Sequence, residues 1–129
     1  MSNIIDVLKS QRDFYCKEGV SQAEIAQAEQ VLGLNFAPEY REYLVAFGVA
    51  SAGGHEYTGM GVSTRLDVVA VTTHEREQNS NIPGDFYVIE QDNIDRIVIW
   101  QSSDGKIYQT IGTSQPTKIC DSLCEYIAM

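Results

Sequence analysis

Two histidines, three cysteines and 18 carboxylates are the residues of this 129-residue chain with the most obvious capacity for chemistry. His55 and His74 each precede a glutamate, Glu56 and Glu75. Adjacent residues on a strand point to opposite faces, so a His-Glu pair there does not converge. Neither pair is followed by the x-x-His that places two imidazoles on one helical face around zinc, and a metal site needs three or four converging ligands. Both histidines read as structural or solvent-exposed. Cys120 and Cys124 stand four apart beside Leu123 and Ile127, the spacing of an apolar helix face, and small thiols commonly fill cores. Cys16, near the end of a first helix, has no ligand-like neighbour, and an odd cysteine count argues against a disulfide framework. There is no Gly-x-Ser-x-Gly elbow and no cysteine in the basic setting that lowers a thiol pKa. Gly53-Gly54 and Gly59-x-Gly61 lack the strand–turn–helix context of a phosphate loop. The residues point to no catalytic reaction, no metal and no cofactor.

Charge says more. The formal net charge is −9, which disfavours direct nucleic-acid binding, since phosphates call for clustered Lys and Arg. It also disfavours anionic membrane surfaces, while a basic protein partner would be steered toward the chain. Residues 54–95 hold eight acids against Arg65 and Arg76, a share of −6 in the total. Glu56, Asp67, Asp85, Glu90, Asp92 and Asp95 stand mostly at expected strand ends and turns, where folds present residues to partners. They are the candidate partner-binding residues. Tyr57, Tyr87, Trp100 and Tyr108 read as core or sheet-face aromatics.

The elements that would position these residues begin with a helical pattern over residues 3–16, broken by Lys17-Glu18-Gly19. Ser21 and Glu24 then make a capping box, with Val20 and Ile25 at the staple positions. Ile25, Ala28 and Leu32 share one helical face and Gly33 supplies a left-handed stop. Pro38 starts a second helix with Tyr40, Tyr43, Leu44 and Phe47 inward, ending at Gly48. Residues 55–61 suggest a short strand with a bulge or close approach at Gly59. The β-branched run 68–72 suggests a strand, and 73–79 one or two helical turns. Strands over 86–90, 96–100 and 106–111 form a meander, the last two joined through Ser103-Asp104-Gly105. Residues 112–117 read as a loop, and a last helix starts at Asp121 or Ser122. The pattern is one α+β domain over residues 1–129, with N-terminal helices and a C-terminal helix on one face of a mainly antiparallel sheet. No apolar run reaches the ~20 residues of a membrane span. The N-terminus lacks the basic and apolar regions of a signal peptide, so cytoplasmic residence is expected.

Glu29, Leu32, Gly33, Phe36, Tyr40, Tyr43 and Leu44, followed by Tyr57-Thr58-Gly59 and the strand Phe86–Ile89, carry a family resemblance. In order and spacing they resemble the SUKH superfamily, which includes a yeast cell-wall-synthesis regulator and many bacterial immunity proteins. Ala37 stands where the family has proline, with Pro38 one residue later, and Gly48-Val49 replaces the usual Asn-Gly. The resemblance implies a SUKH-like α+β domain that binds proteins without catalysis. It points to an immunity protein that neutralises a cognate polymorphic toxin, such as a nuclease, whose surface is basic. The alternative it carries is a regulatory or scaffold module like the yeast members. The family has no fixed catalytic residues to transfer, and its toxin-contacting residues vary between members.

Overall fold

The computed structural model describes residues 3–61, 63–92 and 95–129. The first helix is shorter than its sequence pattern: α1 spans Ile4–Lys9, and residues Tyr15–Cys16 form a strand, β1. Asp13, at φ +57°, turns the chain between them, a left-handed conformation that Asp tolerates better than most residues. Cys16 thus lies on a strand rather than a helix.

The hairpin follows its sequence signals closely. Helix α2 (Gln22–Leu32) opens with the complete Ser21–Glu24 capping box and buries Ile25, Ala28 and Leu32. Gly33 closes it at φ +71°. Helix α3 (Pro38–Phe47) buries Tyr40, Tyr43, Leu44 and Phe47. The link between them is held by Glu29, whose carboxylate accepts the Phe36 amide at 2.7 Å and the Arg41 guanidinium at 2.7 and 3.0 Å. Strands β2 (Ala50–Ala52) and β3 (His55–Glu56) join β1 in a small antiparallel sheet.

Residues 68–72 are helical, correcting the strand that their β-branched composition suggests. After a 3₁₀ turn at Thr64–Leu66, helix α4 runs Val68–Gln78. The Asp67 carboxylate caps it by accepting the Ala70 amide at 3.0 Å. Val68, Val71 and Thr72 are its buried residues, a spacing of three and four that only a helix brings to one face. Tertiary context overrides local propensity here. Helix α4 lies along the outer edge of strand β4 (Tyr87–Asp92), where the Thr72 hydroxyl accepts the Val88 amide at 3.0 Å.

The main sheet adds β5 (Ile97–Gln101), β6 (Ile107–Ile111) and β7 (Thr117–Cys120) to β4, all antiparallel and in chain order. The sequence reading has no strand at β7 and leaves Cys120 on a helix; the structure places it in that strand, two residues before the Ser122 cap of α5 (Leu123–Ala128). Helices α1, α2, α3 and α5 enclose the larger core on one face, with Tyr87, Ile89, Ile99 and Ile107 from the sheet. The opposite face carries a second cluster of Phe86, Val88, Val98 and Trp100, with Val71 from α4. The segment after α4 crosses there: the Asn79 and Asn81 side-chain amides donate to the Ser114 and Thr113 carbonyls, each at 2.9 Å.

Both edge strands contain a register shift. In β4, Val88 pairs with Trp100 but Glu90 pairs with Ile99, so Ile89 is an extra residue. In β7, Lys118 pairs with Tyr108 and Cys120 with Ile107, leaving Ile119 extra. A bulge re-aims the side chains that follow it. Glu90 and Asp92 therefore face the helix side, where simple alternation from Tyr87 puts them on the other.

Gly59 makes a close approach that excludes any side chain: a Cβ there would stand 1.9 Å from the Gly48 carbonyl oxygen. Replacing Ser21 by Ala should cost about 1 kcal/mol through loss of the cap. Gly59→Ala should cost about 3 kcal/mol or more, because the backbone of Gly48 must move. Urea unfolding of the two variants checks the ranking, and an equal or smaller loss for Gly59→Ala would contradict it.

Candidate functional site

The six acidic residues do not form one patch. Glu56, on β3, holds the Arg65 guanidinium in a bidentate pair at 2.8 and 3.0 Å. That pairing keeps the Glu56 carboxyl below its ordinary pKa. Asp67 is spent on capping α4. Asp85 precedes β4 and accepts the Ser103 amide at 3.3 Å, in a depression shared with Phe86, Asp104 and Tyr108. Asp92 ends the same strand, so the two stand about 20 Å apart at the ordinary strand rise. Asp95 is exposed in the turn leading to β5.

Glu90 and Asp92 come together on the helix-side face of the sheet, at the end of β4 nearest that turn. The Glu90 side chain is only 14% exposed. One of its oxygens accepts the Tyr126 hydroxyl at 2.5 Å and the other lies 2.6 Å from His55 Nδ1. His55 in turn stacks on Tyr57 with ring centroids 6.0 Å apart. Burial, then the neighbouring Glu90 carboxylate, pushes the Tyr126 phenol well above its ordinary pKa, so Tyr126 stays a donor. The chain Tyr126–Glu90–His55 draws its members from α5, β4 and β3, which no sequence spacing announces. It fixes a carboxylate in place and orients an imidazole that is half open to solvent.

This polar chain forms one wall of a groove of about 290 Å³ whose floor is Ile97, Ile99, Gln109 and Ile119. Sequence reasoning missed the groove, although period two correctly assigns Ile97 and Ile99 to one face. What sequence cannot reveal is how far the helices roof that face. Ile107 is fully buried, Ile99 is 6% exposed and Ile111 is 54% exposed, so cover falls away toward the β4–β5 turn.

A second, more polar depression runs beside α4, lined by His74, Glu75, Gln91, Asp92 and Arg96. Gln91 donates to Glu75 across it at 3.1 Å. The cysteines lie elsewhere. Burial and Glu39 push Cys124 up to about 11, and burial raises Cys120, so both are protonated at neutral pH and poorly nucleophilic. Among the described residues, no three of His, Cys, Asp and Glu converge as a metal site requires. Nor is any described helix long and apolar enough to cross a membrane.

A capped helical hairpin docked on an antiparallel meander and closed by a C-terminal helix defines an α+β domain of the SUKH type. The chain belongs to that family: the SUKH_5 model, described as SMI1-KNR4 cell-wall, matches residues 1–128. No curated protein matches the chain.

Buried phenols give this site and the core beneath it a defined alkaline limit. Tyr40, Tyr43, Tyr87 and Tyr126 all have raised pKa values, with burial the largest cause. Each binds its proton more tightly folded than unfolded, so its contribution is complete below the unfolded value of about 10 and is lost as pH rises beyond it. Stability should fall above about pH 10, and phenolate absorbance should rise together with loss of the folded circular-dichroism signal. Tyr126→Phe should lower stability by about 1–2 kcal/mol at neutral pH and flatten the alkaline decline. Ionisation of these four buried phenols without unfolding would contradict this reading.

Proposed function

We propose that the chain is a non-catalytic immunity protein of the cytoplasm, which binds a cognate toxin with a basic surface and occludes its working face. The observation that carries the proposal is the acidic character of a SUKH-family domain: a net charge of −9, with exposed carboxylates such as Asp85, Asp92 and Asp95 at the ends of β4 and in the turn beyond it. Nucleases and related toxins are basic where they meet nucleic acid. An acidic antidote competes for that same surface and associates quickly with it. The partner-binding role of Glu56, Asp67, Asp85, Glu90, Asp92 and Asp95 is part of this proposal. Asp85, Asp92 and Asp95 are exposed charges, whereas Glu90 is largely buried and Asp67 caps α4.

The second reading is a regulatory or scaffold module. The matched family's description, SMI1-KNR4 cell-wall, favours it. It expects binding to a partner that is no toxin and no protection of cells from one.

Co-expression with the toxin encoded by the adjacent gene tests the choice. The immunity reading expects a co-purifying complex and rescue of growth; absence of both would sink it. The triple variant Asp85→Lys, Asp92→Lys, Asp95→Lys should slow association about tenfold at low salt and weaken its salt dependence. Glu90 is left intact in that variant because its loss would strand Tyr126 and His55. Stopped-flow kinetics at two ionic strengths check the outcome, and unchanged rates would remove these three residues from the encounter surface.

A further inference from the structure

Resting on the protein-binding reading above, we propose that the unroofed end of the main sheet docks an amphipathic helical segment of the partner that carries Lys or Arg beside its apolar face. The groove has the makings of such a seat. Its floor is mainly aliphatic, with Ile97 and Ile99 from β5 and Ile119 from β7 on either side of Gln109 of β6, and Ile111 extends it outward from its pairing with Ile97. Its wall carries the Glu90 carboxylate, held in place by Tyr126 and His55, and its rim carries Asp92. Among the described residues lining it there is no Lys or Arg. Arg96 of the adjoining turn lines the separate depression beside α4, and Lys118 pairs with Tyr108, whose ring belongs to the opposite face.

The two bulges build this asymmetry. Each edge strand contributes one more residue to the helix-side face than alternation allows: the shift turns Glu90 to that face in β4, and in β7 it adds Cys120 beside Ile119. An apolar centre with a charged rim is the ordinary anatomy of a protein interface, and an apolar helix stripe laid into a groove is an established mode of peptide capture. The charge selects the occupant. A second copy of this chain would set Glu90 and Asp92 against like charges, and an anionic lipid surface would be repelled, whereas a cationic amphipathic helix satisfies floor and rim together.

The test titrates isotope-labelled full-length chain with a synthetic peptide of leucine and lysine at amphipathic helical spacing, followed by amide chemical shifts. Saturable shifts should concentrate on β5, the outer end of β6, β7 and the last turn of α5. Ile111→Ser, which alters an exposed side chain, should weaken the peptide about fivefold. Val31→Ser, which removes from α2 an apolar side chain somewhat more exposed than Ile111, should leave affinity unchanged. Shifts centred on His74 and Arg96, or on Phe86 and Tyr108, would overturn the proposal, as would a lack of saturable shifts. Self-association of the free chain through β5 and β6 would overturn it in favour of a homodimer. Repeating the mapping with the adjacent-gene toxin separates the two readings. Toxin bound elsewhere defeats the groove and leaves the immunity reading standing; peptide in the groove with no toxin binding does the reverse.

Discussion

The structure depends on a buried polar junction at Thr58, which is 2% exposed. Its hydroxyl donates to the Val88 carbonyl at 2.7 Å and receives the Tyr40 hydroxyl at 2.9 Å. Its carbonyl accepts the Tyr43 hydroxyl at 2.7 Å, and its amide donates to the Ile89 carbonyl at 2.8 Å. One residue thus ties α3 to the edge of β4 with every polar group satisfied. A buried group left without its partner costs about 1–3 kcal/mol, so the junction tolerates one placement of the hairpin on the sheet. Tyr40 and Tyr43 reach it because they are three apart on one helical face. Gly59 follows because no side chain fits against the Gly48 carbonyl. The spaced tyrosines of α3 and the glycine after Thr58 are therefore the outline of a joint between layers.

A second joint explains why one end of the sheet is roofed and the other is open. Tyr87 donates to Gln101 at 2.8 Å, Gln101 donates to Glu39 at 2.8 Å, and the same Glu39 oxygen accepts the Leu123 amide at 2.5 Å. This chain pins the start of α5 over the end of the sheet formed by Gln101 and Ile107. Helix α5 has six residues, about 9 Å at the helical rise, whereas a five-residue strand runs about 17 Å. A helix anchored at one end and this short cannot cover the other fully, so Ile97 is only partly buried and Ile111 is exposed.

The contrast between what could and could not be read from sequence follows the range of the interactions. The hairpin was legible because its capping box, Gly33 and the buried stripe of α2 act within a few residues. The α+β class was legible because strand pairing through short turns is local. Helix α4 was not, since Val68–Thr72 has strand composition and its helical state rests on the Asp67 cap and on burial against the β4 edge. Strand β7 lacks alternation because Ile119 is a bulge residue, and it exists by pairing with β6. The site was the least legible part. Counting acids found Glu90 and Asp92, but only the register shift at Ile89 reveals that both face the helix side, and only Tyr126, from the far end of the chain, reveals what Glu90 is for.

On the proposed reading, charge and apolar surface act on different steps of binding. Exposed carboxylates at Asp85, Asp92 and Asp95 work through long-range attraction, which is screened over about 10 Å at 0.1 M salt and chiefly accelerates encounter. They need not lie in one patch to do this, because steering sums over the whole charge distribution. The groove works by contact, through desolvation of aliphatic surface, and governs how slowly a partner leaves. Glu90 belongs to the second step although it is an acid. Fixed by two donors and mostly withdrawn from water, it contributes little to steering, but a cation brought beside it meets a carboxylate that needs no further ordering. A partner that matched the charge alone would arrive quickly and depart quickly; retention requires an apolar stripe beside its basic residues.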